Sequence, residues 1–363
     1  MVPASAAGPN LDVQHALAEI VAATYLPRLH ANERLDVGAL SANYFSFTFP
    51  VDVISAGGRN GVFVKIPKAD LRLSGHTILP VTAADRQMAD DEVRSLRALA
   101  TDWPLDELGV RFVTIRGFNP DYNAIVTERV YAAEALNVLR RLDLRRRTGR
   151  AVDGRRLISL LGRLGSALGR FHKRAAAARE FDPSRAVPKL LRYCQELATM
   201  TRSELPGRAA GALSAHDWSP VAGYEASTLK GIDLRNLLID GSDGVFLLDP
   251  GRMKRTCREA DLARFLLTYR ILYWGHWLFA LGCEPDPAAE GQFLESYYAS
   301  SEPASGRILE FYLVKEALKH WHTAHASLRL KTWPAPVKRL VAAAYIDRFY
   351  ERQLAVGLER LLA

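Results

Sequence analysis

From Tyr44 to Val53 apolar residues recur at nearly every second position, as Tyr44, Phe45, Phe47, Phe49, Val51 and Val53. A period of two is that of a half-buried strand. Gly57-Gly58-Arg59-Asn60-Gly61 reads as the turn after it, and Val62–Pro67 as a second strand. Ala84–Ala100 changes to a helical spacing, with Val93, Leu96 and Leu99 apolar and charges between them. Val110–Ile115 and Asn123–Val130 read as further strands, with Gly117–Asp121 as their turn. Beyond Val130 the pattern is mostly helical. Leu157–Ala176 is amphipathic through Leu160, Leu161, Leu164, Leu168 and Phe171. Leu237–Ile239 and Val245–Leu248 are short apolar strands around Asp240-Gly241-Ser242-Asp243-Gly244, a run of turn formers, and Arg258–Arg264 opens another helix. Later, Tyr273, Trp277 and Leu281 stand at helical spacing and are expected in a core.

Two features carry chemistry. Asn236 precedes the first strand of the 237–248 hairpin and Asp249 follows the second, so a hairpin would bring both side chains to one end. Hard oxygen donors of this kind suit Mg²⁺, which keeps positions for water and phosphate oxygens. An ordinary hairpin with an Asx turn at each end is the competing reading. The second feature is Lys65, inside an apolar strand, where an unpaired ammonium is costly and a carboxylate partner is expected. Glu92 fits best on the following helix, with Asp91 as the alternative; Lys68 competes with Lys65 but reads as a strand exit.

The stretch KGIDLRNLLIDGSDGVFLLDPG, followed by READLARF, resembles the aminoglycoside phosphotransferase and choline kinase branch of the protein-kinase-like fold. The resemblance implies an α+β architecture with two lobes. A small antiparallel-sheet lobe would span 1–130 and a mainly helical lobe 131–363. It implies ATP and Mg²⁺ as cofactors and phosphoryl transfer to a hydroxyl of a small molecule, a sugar or a glycan- or lipid-linked acceptor among them. Asp249-Pro250-Gly251 takes the place of D-F-G, with Asn236 as the second metal residue. Lys65 would hold nucleotide phosphates and Glu92 would hold Lys65. Glu128 and Val130 would offer backbone groups to adenine, and Gly38–Asn43, with Ser41 and Asn43, would cover the phosphates. Asp261 would brace the catalytic loop, and His172 ends the long helix in L-G-R-F-H as a structural residue.

One position departs from that pattern. The family motif H-x-D-x-x-x-x-N places its catalytic Asp at Gly231 and its His at Leu229. Asp233 is the nearby carboxylate that could serve as base or hydroxyl-orienting group, flanked by Lys230 and Arg235 as phosphate-neutralising cations. Three functions follow from the departure: a kinase using Asp233, a pseudokinase that binds nucleotide as a regulatory module, or an enzyme of nucleotidyl transfer.

Composition bounds the rest. The 363 residues are 48% hydrophobic and 24% charged, ordinary for a globular chain. No run of about 18 uncharged apolar residues suggests a transmembrane helix. The N-terminus has no charged and apolar leader pattern, and Cys194, Cys257 and Cys283 are widely spaced, which together suggest a cytoplasmic, reducing setting. The net charge is +8, with a local excess in Arg140–Arg156. That run could attract an anionic membrane surface, a sugar phosphate or nucleic acid, though its lack of interleaved aromatics argues against nucleic acid. The acceptor side is expected among C-terminal helices rich in aromatics (Tyr269, Tyr273, Trp274, Trp277, Phe279, Phe311, Tyr312, Trp321). His276, His320, His322 and His325 lie in the same region, and Glu284, Asp286, Glu290 and Glu295 are too sparse to line a site for a polycation.

Overall fold

The alternating segment forms the strand Ser46–Ser55, paired antiparallel with Gly58–Pro67 over ten residues each. A computed structural model describes residues 20, 32–42, 45–69, 78–102, 106–229, 232–303, 305–329 and 331–363. The architecture is α+β, with antiparallel sheets and long helices. The chain divides into two compact units. The first holds Met1–Glu107, Arg111–Ala132 and Asp240–Met253, and the second holds Leu108–Val110, Ala133–Ile239 and Lys254–Ala363.

In the first unit the strand order is Arg34–Val37, Ser46–Ser55, Gly58–Pro67, Ala124–Glu128, Ile115–Asn119, and Ser41–Ala42 adds beside Ser46–Ser55. Phe47, Phe49 and Val51 share a core with Val62, Val64, Ile66, Ala124 and Val126. Alternation leaves Phe63 and Lys65 on the opposite face. There Ile125 packs with Ala89, Val93 and Leu96 of the helix Ala83–Asp102. Burying each such side chain contributes about 1.5–3 kcal/mol. A slip of one residue would turn the whole apolar set outward and Lys65 into the core, so the register is strongly fixed.

The glycines differ from the sequence expectation. Gly58 and Gly61 lie in the strand, and the turn is Ala56–Gly57. Gly61 is required by crowding: a Cβ there would meet the Asp52 carboxylate and come within 2.9 Å of the Tyr131 hydroxyl. Gly117 likewise sits in the strand Ile115–Asn119, at a register irregularity, so the turn falls at Pro120–Asn123. Two main-chain N–H groups are among the donors that tie Asp240–Met253 to the rest of the first unit. The Val113 N–H donates to the Leu247 carbonyl at 3.1 Å, and the Met253 N–H donates to Ser95 Oγ at 3.1 Å.

The second unit is mainly helical. Its long helix, Ala151–Arg174, lies against Pro287–Ala299. Gly162, Gly165 and Gly169 make the approach close: a Cβ on Gly165 would fall 3.1 Å from the Phe293 carbonyl carbon, and one on Gly169 would fall 3.0 Å from Ser300 Cβ. A three-stranded sheet, Ala177–Phe181, Val221–Thr228 and Lys254–Cys257, completes the unit with the short pair Ala133–Glu134 and Leu237–Ile239. The expected helical stripe of Tyr273, Trp277 and Leu281 does not form. Residues 271–276 are a turn, Tyr273 is buried, and Trp277 and Leu281 are both 63% exposed. Tyr269, Phe279, Phe311, Tyr312 and Trp321 are core residues. No helix among the described residues is long and apolar enough to cross a membrane. Within the basic run, Arg140 donates to the carbonyls of Leu272 and Trp274, and Arg146 and Arg147 pair with the buried Asp143, while Arg141, Arg145, Arg150 and Arg155 are exposed.

Candidate nucleotide and catalytic site

In the first unit three of the expected residues meet. Lys65 Nζ donates to both carboxylate oxygens of Glu92, at 2.9 and 2.7 Å, and lies 3.0 Å from Asp249 Oδ1. Strand periodicity points Lys65 at the helix, and that helix places Glu92 among Val93 and Leu96 on its buried side. Burial alone would push the Lys65 ammonium down; Glu92 and Asp249 outweigh it, and the group stands above its ordinary value. Asp249 is 43% exposed on its side chain and has φ of +38°, a left-handed backbone that a non-glycine residue adopts at a cost. Asp91 does not meet Lys65; it takes Gln87 and lies 3.7 Å from Arg252. Lys68 leaves the strand at Pro67, as expected. It is buried against Asp85 at 2.8 Å and donates to the carbonyls of Ile78 and Pro80.

The end of the strand Ala124–Glu128 is more committed than expected. The Glu128 N–H donates to the Thr114 carbonyl at 2.8 Å and the Arg129 N–H to the Gly61 carbonyl at 3.0 Å. The Glu128 carboxylate takes Arg111 and the Thr114 N–H. Burial raises that carboxyl, but these bonds prevail and hold it below the usual range. The Val130 N–H has no acceptor among the described residues, so it is the group at this edge open to a ligand. Arg129 and the Tyr131 hydroxyl both reach the buried Asp52, at 2.5 and 2.6 Å, a cluster that sequence reasoning missed. Its one signal was an acidic residue alternating into an apolar strand. Ser41 pairs with Thr48 at the sheet edge, and Asn43 lies outside the described residues, as do Lys230 and Gly231.

In the second unit Asp233 and Asn236 share one tight turn. Asp233 caps Leu234–Asn236: its carboxylate accepts from the Arg235 N–H at 2.8 Å and from Arg235 Nε at 2.9 Å, and the Asn236 N–H donates to the Asp233 carbonyl at 2.9 Å. Burial raises the Asp233 carboxyl, yet Arg235 outweighs it and the net shift is downward. Asp261 Oδ2 accepts from the Leu229 N–H at 2.7 Å and from His172 Nε2 at 3.2 Å, and His172 Nδ1 meets the Tyr297 hydroxyl at 2.7 Å. The start of the loop is thereby anchored to two helices through one carboxylate. Asn236 belongs to the second unit and Asp249 to the first. Among the described residues no three His, Cys, Asp or Glu side chains converge as a metal centre.

No protein-family model and no curated protein matches this sequence. Solved structures do. A choline kinase, LicA, from Streptococcus pneumoniae matches at 13% identity over 95% of this chain and 98% of its own, with a TM-score of 0.50. The spectinomycin phosphotransferase APH(9)-Ia, in complex with ADP and spectinomycin, matches at 12% identity over 96% and 98%, with a TM-score of 0.51. The amicoumacin kinase hAmiN, with AMP-PNP, Ca²⁺ and Ami, matches at 11% identity over 94% and 93%, with a TM-score of 0.50. The chain therefore has the protein-kinase-like fold of these phosphotransferases.

Proposed function

We propose that this protein is an ATP- and Mg²⁺-dependent phosphotransferase acting on a hydroxyl of a small molecule. The observation that carries the reading is Lys65 held between a buried carboxylate, Glu92, and a half-exposed one, Asp249. A charged, fixed ammonium beside an exposed carboxylate is suited to nucleotide phosphates with a divalent cation between them. That structures of similar fold carry ADP, or AMP-PNP with Ca²⁺, supports the choice of cofactor. Asp249, in the first unit, would be an oxygen donor for Mg²⁺, which would neutralise charge on the transferring phosphate, and Asn236, in the second, is the other donor we assign. Mg²⁺ keeps positions for water and phosphate oxygens, so few protein donors are needed. The Val130 N–H would be offered to the base.

Asp233 is the group we assign to the acceptor. Its carboxylate, kept ionised by Arg235, is a weak base, so its task is to orient the hydroxyl and take its proton late, as the oxygen–phosphorus bond forms and the bond to ADP breaks. The same Arg235 clamp favours a second reading, nucleotide binding without transfer. Two measurements separate them. ADP with Mg²⁺ should raise the melting temperature of the protein, and Asp249→Asn should remove the rise. Steady loss of γ-phosphate from ATP, slowed by Asp233→Asn, supports the kinase; nucleotide binding with no turnover supports the second reading, and no thermal shift at millimolar nucleotide sinks both.

A further inference from the structure

The helix Gly306–Arg329 carries Lys315, Glu316, Lys319 and His320 within six residues, so they stack as neighbours on successive turns. Glu316 is buried at their centre. It accepts from Lys319 Nζ at 2.8 Å, and it lies 3.6 Å from Arg264 Nε of the helix Glu259–Arg270 and 3.5 Å from His320 Nε2. Lys315 forms no ion pair among the described residues; its ammonium lies 4.7 Å from the Tyr312 ring centre. One carboxylate thus serves Lys319 and Arg264, with Lys315 beside them and Lys189 near enough to be felt. Burial lowers the Lys315 and Lys319 ammonium groups, Glu316 partly restores them, and the neighbouring cations lower them further. The Glu316 carboxyl is held well below the usual range, its burial outweighed by His320, Lys319 and Arg264. This cluster adjoins the Asp233 turn: the Leu234 N–H of that turn donates to Thr268 Oγ1 at 3.4 Å, and Thr268 stands one helical turn beyond Arg264 on Glu259–Arg270.

An ion-pair network that merely staples helices balances its charges; this one carries excess cations, partly withdrawn from water, where unpaired charge is expensive. An anion from solution would relieve it. We propose that the acceptor is itself an anion, a hydroxyl compound bearing a phosphate or carboxylate group that docks on Lys315, Lys319 and Arg264. Cationic acceptors such as choline would meet like charge here, which excludes them by repulsion. The inference rests on the phosphotransferase reading, which supplies the need for an acceptor beside Asp233.

Isothermal titration at low salt, with ADP and Mg²⁺ present, tests it using glucose 6-phosphate, glucuronate, glucose and choline. Glucose 6-phosphate or glucuronate should bind, and whichever binds names the anionic group, while glucose and choline should not. The double variant Lys315→Met/Lys319→Met should weaken anion binding by about tenfold or more, the loss expected for charge-assisted contacts of roughly 1.5–3 kcal/mol. Lys315→Arg/Lys319→Arg should retain binding, which separates charge from folding. Glu316→Gln, which removes the competing carboxylate, should tighten it. ADP binding should be unchanged in the double variant and lost in Lys65→Ala; anion binding without ADP binding would remove the kinase reading alone. Binding of choline equal to that of the anions, no binding of either anion, or anion binding indifferent to the double variant overturns the proposal.

Discussion

Lys65 shows how one residue ties stability to the site. Its ammonium stands above its ordinary value, so the stabilisation it gains from Glu92 and Asp249 is fully present below about pH 10, near the unfolded value for lysine, and is lost as pH rises through the folded value. Breaking a buried pair by removing one partner costs about 3–5 kcal/mol. With Asp249 still 3.0 Å away, Glu92→Gln should cost toward the lower end. Melts from pH 7 to 11 should therefore show the wild type ahead of Glu92→Gln at neutral pH, with the gap closing at the alkaline end. A constant gap would mean that Glu92 acts through packing. The pairing was legible in the sequence because a lysine in an apolar strand needs a carboxylate, and the helix offers one at Glu92. The fate of Lys68 was not legible. Its partners, Asp85 and the carbonyls of Ile78 and Pro80, are brought to it by chain folding that leaves no periodic trace. Gly61 was read as a turn former for the same reason: the crowding that selects it comes from Asp52 and Tyr131, the latter seventy residues away.

At the level of elements, periodicity located the strands and helices well and the ends of them less well. Two glycine-containing segments became strand because cross-strand pairing outweighed local turn preference. The Tyr273, Trp277 and Leu281 spacing failed because the chain breaks at 271–276, so these residues never share a helix. The glycines of Ala151–Arg174 carry a consequence that can be measured. An alanine at a helix interior gains about 1 kcal/mol over glycine in propensity. At Gly165 the new methyl would instead press on the Phe293 carbonyl, closer than 3.0 Å, and backbone cannot rotate away as a flexible side chain can. Overpacking costs about 1–3 kcal/mol, so the steric loss wins. Gly165→Ala should lower the melting temperature, whereas Gly211→Ala, in the helix Leu205–Ala215 with nothing within 4 Å of the added carbon, should raise it slightly. The opposite signs of two identical substitutions are the check; a gain at Gly165 would mean the helices do not approach as described.

Across the whole molecule, the most informative feature is that the first unit is not continuous in sequence. Asp240–Met253 returns to it after more than a hundred residues of the second. That return supplies Asp249 to Lys65, Leu248 to the core under the helix, and the Leu247 carbonyl to the Val113 N–H. A boundary drawn near residue 130, the natural place from sequence, cuts these off. The excised segment 1–132 should therefore be less stable than the same segment with 240–253 joined by a flexible linker. It would lose one of the two carboxylates on Lys65, a strand bond to Val113 and the packing of Leu248. Together these are worth several kcal/mol, comparable to the whole stability of a small domain. Circular dichroism melts of the two fragments decide the matter. Cooperative unfolding that appears only when 240–253 is present is the expected result, and equal melting of both would mean that the returning segment adds nothing to the fold of the unit.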